Sequence, residues 1–181
     1  MKKKDLLKDI VKHVDIKKIN TTDLINAMRD MSFSSRDTAT AVDIYDRMIN
    51  DKECSIILTL AGSTSAGGCM QVYVDMVKNK MIDCIVATGA SIIDMDFFEA
   101  LGFKHYKGTP FIDDKYLRSN YIDRIYDTYI DEEELQNCDG TIKMIADKLE
   151  KRPYSSREFI WEIGKWLSEG NAKKTDSLIQ A

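Results

Sequence analysis

Apolar positions recur along this chain with changing period, and each change marks a new element. From Asp5 to Val14 they fall at Leu6, Leu7, Ile10, Val11 and Val14, a one-sided spacing that predicts an amphipathic helix. Thr21 or Thr22 caps a second predicted helix through Met31. Ser34 or Ser35 caps a third, running to Ile49 with Ala41, Ile44, Tyr45 and Met48 on one face. The pattern then tightens into an apolar run, Ser55 to Leu60, which predicts a buried strand. A helix from Ser65 or Ala66 to Lys78 follows, with Met70, Tyr73, Val74 and Val77 at helical spacing. Asn79-Lys80 turns the chain into a second strand, Ile82 to Ala87. A connection of this length suits a right-handed crossover and makes the two strands parallel neighbours.

Further along, a helix over Asp94 to Leu101 is predicted to stop at Gly102. Phe103 to Pro110 reads as a loop, and Asp113-Asp114-Lys115 leads into a short helical turn through Arg118. Tyr126 to Ile130 predicts another strand. Asp131, Glu132, Glu133 and Glu134 make an acidic start for a helix to about Glu150, where carboxylates complement the helix dipole and need no functional role. Ser155 and Glu158 match a capping box for a helix carrying Phe159, Ile160, Ile163, Trp166 and Leu167, an aromatic-rich face suited to a core. Thr175 to Ala181 reads as the beginning of a capped apolar helix. The sum is an α/β chain, with a helical segment over 1–52 and an α/β domain over 53–181.

Composition narrows the classes. At 181 residues and 44% hydrophobic, the chain can bury one substantial core. A formal net charge of -4, without a Lys/Arg stripe interleaved with aromatics, argues against a nucleic-acid partner. The basic Met1-Lys2-Lys3-Lys4 precedes an amphipathic segment and not a continuous apolar one, so a cytoplasmic protein without a membrane partner is expected. Four cysteines without C-x-x-C spacing fit free thiols in a reducing compartment. With only two histidines, His13 and His105, a Cys/His metal cage is not expected.

Candidate chemistry lies at the carboxyl ends of the two parallel strands. The first strand empties into Ala61-Gly62-Ser63-Thr64-Ser65-Ala66-Gly67-Gly68 and the second into Thr88-Gly89-Ala90-Ser91. Open α/β sheets hold nucleotides at such places. The first loop is neither a P-loop nor a G-x-G-x-x-G fingerprint. It offers backbone N–H groups and three hydroxyls at a helix N-terminus, which suits a dinucleotide pyrophosphate equally well as it suits an ordinary serine-capped turn. Asp94 and Asp96 follow the second loop. At least one of them is placed to face a ligand, as a partner for a ribose hydroxyl or an amine, or else both complement the helix dipole.

The LTLAGSTSAGG and VATGAS loops within Cys54 to Leu101, HYKG at 105–108, LRSNYIDRIYDTYI at 117–130 and SSREFIWEIGKWL at 155–167 together resemble the deoxyhypusine synthase family, especially its bacterial and archaeal synthase-like branch. The resemblance covers most of the chain after about Thr38. It implies a Rossmann-like parallel sheet with flanking helices and an NAD-dependent polyamine transferase, normally a homotetramer with sites at subunit interfaces. In that family NAD oxidises spermidine, diaminopropane leaves, and an aminobutyl group passes through an imine on an enzyme lysine. The acceptor is a lysine of the hypusine-bearing translation factor or a small amine. By position, Gly62, Ser63, Thr64, Ser65 and Ala66 would line NAD, as would Thr88, Gly89, Ala90 and Asp94, with Asp94 also serving the polyamine.

Two departures shape the expectation. Where the eukaryotic pattern has paired glutamates, this chain has Ile93-Asp94, one negative charge fewer for holding a polycation. Family members also continue for roughly as many residues again, and that second half carries the imine-forming lysine. No catalytic residue is therefore expected in this chain, and Lys165 and Lys173 have no claim to the role. The leading reading is the first part of such a transferase, a fragment or one subunit of a split homo- or hetero-oligomeric enzyme. The alternatives are a catalytically dead paralogue that regulates a full-length synthase, or a small nucleotide-binding protein related only by ancestry.

Overall fold

In the computed structural model, which describes residues 2–174 and 176–181, two small sheets are joined through a shared helical core. The chain opens with α1 (Lys3–Leu6), one helical turn only. The amphipathic helix expected over Asp5 to Val14 does not form. Residues after Leu7 instead run extended, with Ile10 bridging antiparallel to Tyr106. Asp9 O accepts from Lys107 N at 2.6 Å, Val11 N donates to His105 O at 2.9 Å, and Val14 N donates to Gly68 O at 3.0 Å. The reason is competition. Ile10, Val11 and Val14 are β-branched and weak helix formers. The extended strap gains three long-range backbone bonds, and α1 ahead of it buries Leu6 against Leu117, Ile122 and Tyr129, worth about 2 kcal/mol for that side chain alone.

The next two helices, α2 (Thr22–Arg29) and α3 (Ser34–Asn50), form where expected and pack on each other. Then β1 (Ile57–Leu60) leads through a widened π turn, Ser65–Cys69, into α4 (Met70–Lys78) and β2 (Cys84–Ala87). β1 and β2 pair parallel from Ile57↔Cys84 to Leu60↔Ala87, as the crossover reading requires. Leu60, Ile85 and Ala87 cluster with Met70 and Val74 on one side of the pair. On the other side Ile57 is 60% and Val86 59% exposed, and Thr59 and Cys84 are exposed beside them. Parallel sheets are ordinarily covered on both faces. This one is bare on the second.

After β2 the chain is helical from residue 89, through a π segment Ser91–Phe97 into α5 (Phe98–Ala100). This helix starts five residues earlier than the Asp94 expected, because the Thr88 hydroxyl accepts from Ser91 N at 3.3 Å and so caps the turn ahead of the acidic residues. The stop at Gly102 stands.

Beside the expected parallel pair with its flanking helices, the chain builds a second sheet. It contains β3 (Tyr106–Lys107), then, after α6 (Asp114–Ser119), β4 (Ile122–Ile125) and β5 (Thr128–Asp131), in the order β3-β5-β4 and antiparallel throughout. Tyr126 is not in a strand. With Asp127 it forms the two-residue hairpin turn between Ile125 and Thr128, at a positive φ of 54°. α7 (Glu132–Lys148) begins as expected, with the Asp131 side chain accepting from Glu133 N and Glu134 N. α8 (Ser156–Trp166) carries the Ser155/Glu158 capping box. Phe97, Phe98, Cys138, Ile145, Ile163 and Leu167 form the core between α5, α7 and α8.

The closing segment expected as a helix from Thr175 starts on a residue outside those described. From Asp176 onward there is a single turn, with Ala181 N donating to Ser177 O at 3.1 Å. No helix among the described residues is long and apolar enough to cross a membrane.

Candidate functional site

The two small-residue loops meet at the carboxyl ends of β1 and β2. Thr88 N donates to Leu60 O at 3.1 Å, which extends the ladder one residue past the strands and fixes the loops side by side. Ser91, fully buried, joins them: its hydroxyl lies 3.0 Å from Thr88 Oγ1 and donates to Gly62 O at 3.4 Å. Both strands thus feed helical turns, the first kinked at Gly68, where φ is 109°, and the second of π form over Ser91–Phe97. Backbone N–H groups at helix N-termini favour anions.

The expected cofactor residues divide into those that face outward and those that do not. Gly62 has φ 72°, a conformation L side chains rarely adopt, and open space lies where its Cβ would be. Gly89 is similarly open above. Thr64, Thr88 and Ala90 are exposed. Thr64 Oγ1 accepts from Tyr73 OH at 2.8 Å, which orients it. Ser65 and Ala66 are both fully buried, Ala66 within the cluster of Met70 and Val74. Their side chains face the protein interior, and the Ser65 hydroxyl has no hydrogen-bond partner there.

The strap reaches this loop too. Gly68 sits at φ 109°, and a Cβ there would stand 3.0 Å from Lys12 O. Behind the strap, His13 Nε2 lies 2.7 Å from Glu99 Oε2, His105 Nδ1 lies 2.9 Å from Glu99 Oε1, and Lys174 Nζ donates to Glu99 Oε2 at 2.7 Å. Burial opposes ionisation of Glu99, but the hydrogen bonds from His105, His13 and Lys174 outweigh it and hold its carboxyl well below the ordinary range.

Of the two aspartates after the second loop, only Asp94 opens to a cleft. It lines a cavity of about 300 Å³ together with Ser63, Ala90, Met95, Asp123, Arg124, Ile125, Ile130 and Leu135. Burial, reinforced by Asp139, pushes the Asp94 carboxyl up. Asp96 is 1% exposed and turned the other way, toward the closing segment. Lys165 pairs with Glu162 at 2.6 Å, and Lys173 packs over Gly102, so neither lysine reaches the cleft.

Three residues in or beside this site were not singled out from the sequence: Ser91, Tyr73 and Asp123. Ser91 carried a signal as the last residue of the second loop, and Tyr73 as a residue one helical face from Thr64. Asp123 lies inside the 117–130 block but has no mark of its own, because the apolar pattern predicts no strand before Tyr126.

A cradle of this form fits a dinucleotide. Gly62 and Gly89 leave room for backbone approach, and exposed hydroxyls of Thr64 and Thr88 flank two helix N-termini. Among the described residues, no group of three or more His, Cys, Asp or Glu is placed to hold a metal ion.

Comparison with known proteins accounts for the arrangement. The family model for deoxyhypusine synthase matches residues 23–181. A deoxyhypusine synthase-like protein of Caulobacter vibrioides is 68% identical over 178 residues, covering 98% of this chain and 48% of the relative. One from Coxiella burnetii is 62% identical, covering 98% and 51%. A third, from Chlorobaculum tepidum, is 51% identical, covering 100% and 52%. The chain therefore spans about half the length of the curated relatives it matches. A crystal structure assigned as a deoxyhypusine synthase, from Entamoeba histolytica, superposes with a TM-score of 0.58 at 18% identity, over 94% of this chain and 59% of that one, and so shares the fold. With the blocks of sequence, the paired loops and these matches in agreement, the chain belongs to the deoxyhypusine synthase family.

Proposed function

We propose that this chain is the cofactor-loop half of an NAD-dependent aminobutyl transferase that takes spermidine or a related polyamine as donor. Its acceptor is a lysine of the hypusine-bearing translation factor or a small amine. The observation that carries the reading is the joining of the two small-residue loops by Ser91 above the parallel strand pair, with Asp94 opening to the adjacent cleft. Gly62, Ser63, Thr64, Thr88, Gly89 and Ala90 would hold the dinucleotide, with Ser65 and Ala66 contributing backbone only. When bound, NAD supplies a hydride acceptor. Ser91 keeps the loops in register, and Asp94 faces a cationic amine.

None of the described residues lining the cleft is a lysine. In this reading the imine-forming lysine arrives from a second half, whether continuous in chain or separate. The bare face carrying Ile57, Cys84 and Val86 supports association with such a half, since a parallel pair needs cover. The same bare face also favours a second reading, a regulatory subunit that docks on a full-length synthase without turning over.

The deciding experiment measures NAD-dependent release of diaminopropane from spermidine by this chain alone and with a candidate second half. Activity only in the mixture supports the transferase reading. Robust turnover by the 181 residues alone would overturn the assignment of the lysine to the other half. A mixture that stays silent while the chain alters a full-length synthase favours the regulatory reading. If neither form binds NAD, the cofactor assignment fails.

A further inference from the structure

The position that departs from the paired-carboxylate pattern, Ile93, does not face the cleft. Its side chain packs against both the Phe97 and the Met70 clusters, so it is a joint between two cores. A carboxylate there would be an unpaired charge among apolar groups. The cleft nevertheless has a second acid. Asp123, on β4 of the other sheet, lines it with Asp94, Ser63 and Ala90.

The remaining wall decides what such a cleft suits. Met95, Ile125, Ile130 and Leu135 give it an apolar lining. Arg124, the one cation among the described lining residues, is committed elsewhere. Its Nε and Nη2 donate to Asp114 at 2.9 and 3.0 Å, and its Nη1 donates to Tyr126 O at 2.7 Å. The cleft is left with two carboxyl groups and an apolar lining, the complement of an alkyl chain bearing ammonium groups. Asp123 also shares a hydrogen bond with Glu132 at the start of α7, a carboxyl pair in which a bound ammonium can take the place of the shared proton.

We propose that Asp123 is a specificity-determining residue of this cleft, holding one ammonium of an alkyl polyamine and supplying from β4 the negative charge that Ile93 does not. The inference rests on the transferase reading for the identity of the amine. It differs from that reading in placing recognition on the antiparallel sheet.

The test uses the full chain, alone and with the second half, titrated separately with spermidine and with NAD by calorimetry at pH 8. Asp123→Asn is expected to weaken spermidine binding about tenfold, the loss of one charged contact, and to leave NAD affinity unchanged in a folded protein whose melting temperature is not lowered. Asp123→Glu, which keeps the charge, is expected to retain spermidine binding. Spermidine affinity unchanged in Asp123→Asn overturns the proposal while the transferase reading stands. Parallel loss of NAD and spermidine in that variant also overturns it, since the residue then acts on the fold and not on the amine. Wild-type protein that binds NAD but no spermidine in either form removes the amine assignment and leaves the cofactor loops. Protein that binds neither removes both.

Discussion

Asp96 Oδ1 accepts the backbone N–H of Leu178 at 2.7 Å, across 82 residues of chain. The same carboxylate accepts from Ile179 N at 2.9 Å and Ser177 Oγ at 2.8 Å, so it closes the final turn onto the Ser91–Phe97 segment. A residue that sequence offered as a ligand-facing acid is thus a buried cap.

Replacing Asp96 by Ala should therefore destabilise the chain without touching the cleft. Three donors would lose a buried acceptor, at a cost of roughly 3 kcal/mol. Urea unfolding of the variant is expected to show a lower midpoint. A midpoint equal to that of the wild type would mean the closing turn contributes nothing to folding.

Glu99 gathers the strap, the β3 approach and the Lys174 segment at one carboxylate. Glu99→Gln removes the charge and one of the two acceptor oxygens that His13, His105 and Lys174 share, leaving a partly buried cation unpaired, and should cost roughly 3 kcal/mol. The pH dependence has a definite sign. A folded-state carboxyl held below its ordinary value of 4.5 contributes stability that is present above that value and lost as pH falls below it. Acid titration of stability should be steeper in the wild type than in Glu99→Gln, and equal slopes would contradict this assignment.

Asp123 behaves in the opposite sense. Its hydrogen bond with Glu132, with burial adding, raises its carboxyl to about 6. The folded state then binds that proton more tightly than the unfolded chain, whose carboxyl titrates near 3.8. The contribution is full below 3.8 and lost as pH rises through about 6. Glu132 is shifted down by the same contact. Asp123→Asn should remove the downward stability slope between about pH 4 and pH 6, measured by chemical denaturation at a series of pH values. A slope that persists would place the proton elsewhere.

Gly68→Ala probes the strap. The variant must take up φ 109° with a side chain and push its Cβ to within 3.0 Å of Lys12 O. A loss of more than about 1 kcal/mol is expected, together with faster exchange of the Val14 amide, whose acceptor is Gly68 O. Unchanged Val14 exchange would show that the strap does not depend on this contact.

Cys84 reports on the bare sheet face. It is exposed, whereas Cys138 is buried, with its thiol pushed up to about 12 by burial together with Asp139 and Asp94. A thiol reagent should label Cys84 far faster than Cys138 in the isolated chain, and a second half that covers the sheet should slow the Cys84 reaction. Labelling indifferent to the second half would exclude this face as the contact.

Much of the architecture was written locally. The parallel strand pair, α2, α3, α4, α7 and α8 follow from apolar period and from caps such as Asp131 and Ser155, whose side chains bond to N–H groups two or three residues away. The two small-residue loops were legible for the same reason, since a strand followed by Gly62 or Gly89 and a helix is a short-range pattern. The tertiary structure alone decided that Lys8 to Val14 lies as a strap, because its extended backbone finds partners in His105, Lys107 and Gly68 that no local window contains. It alone turned Asp94 toward the cleft and Asp96 into the interior, and it brought Asp123 from another sheet to stand with Asp94. Short-range hydrogen bonds and periodicity specify elements. Which distant donor satisfies a buried carboxylate, and which acid meets which across a cleft, depend on how those elements pack.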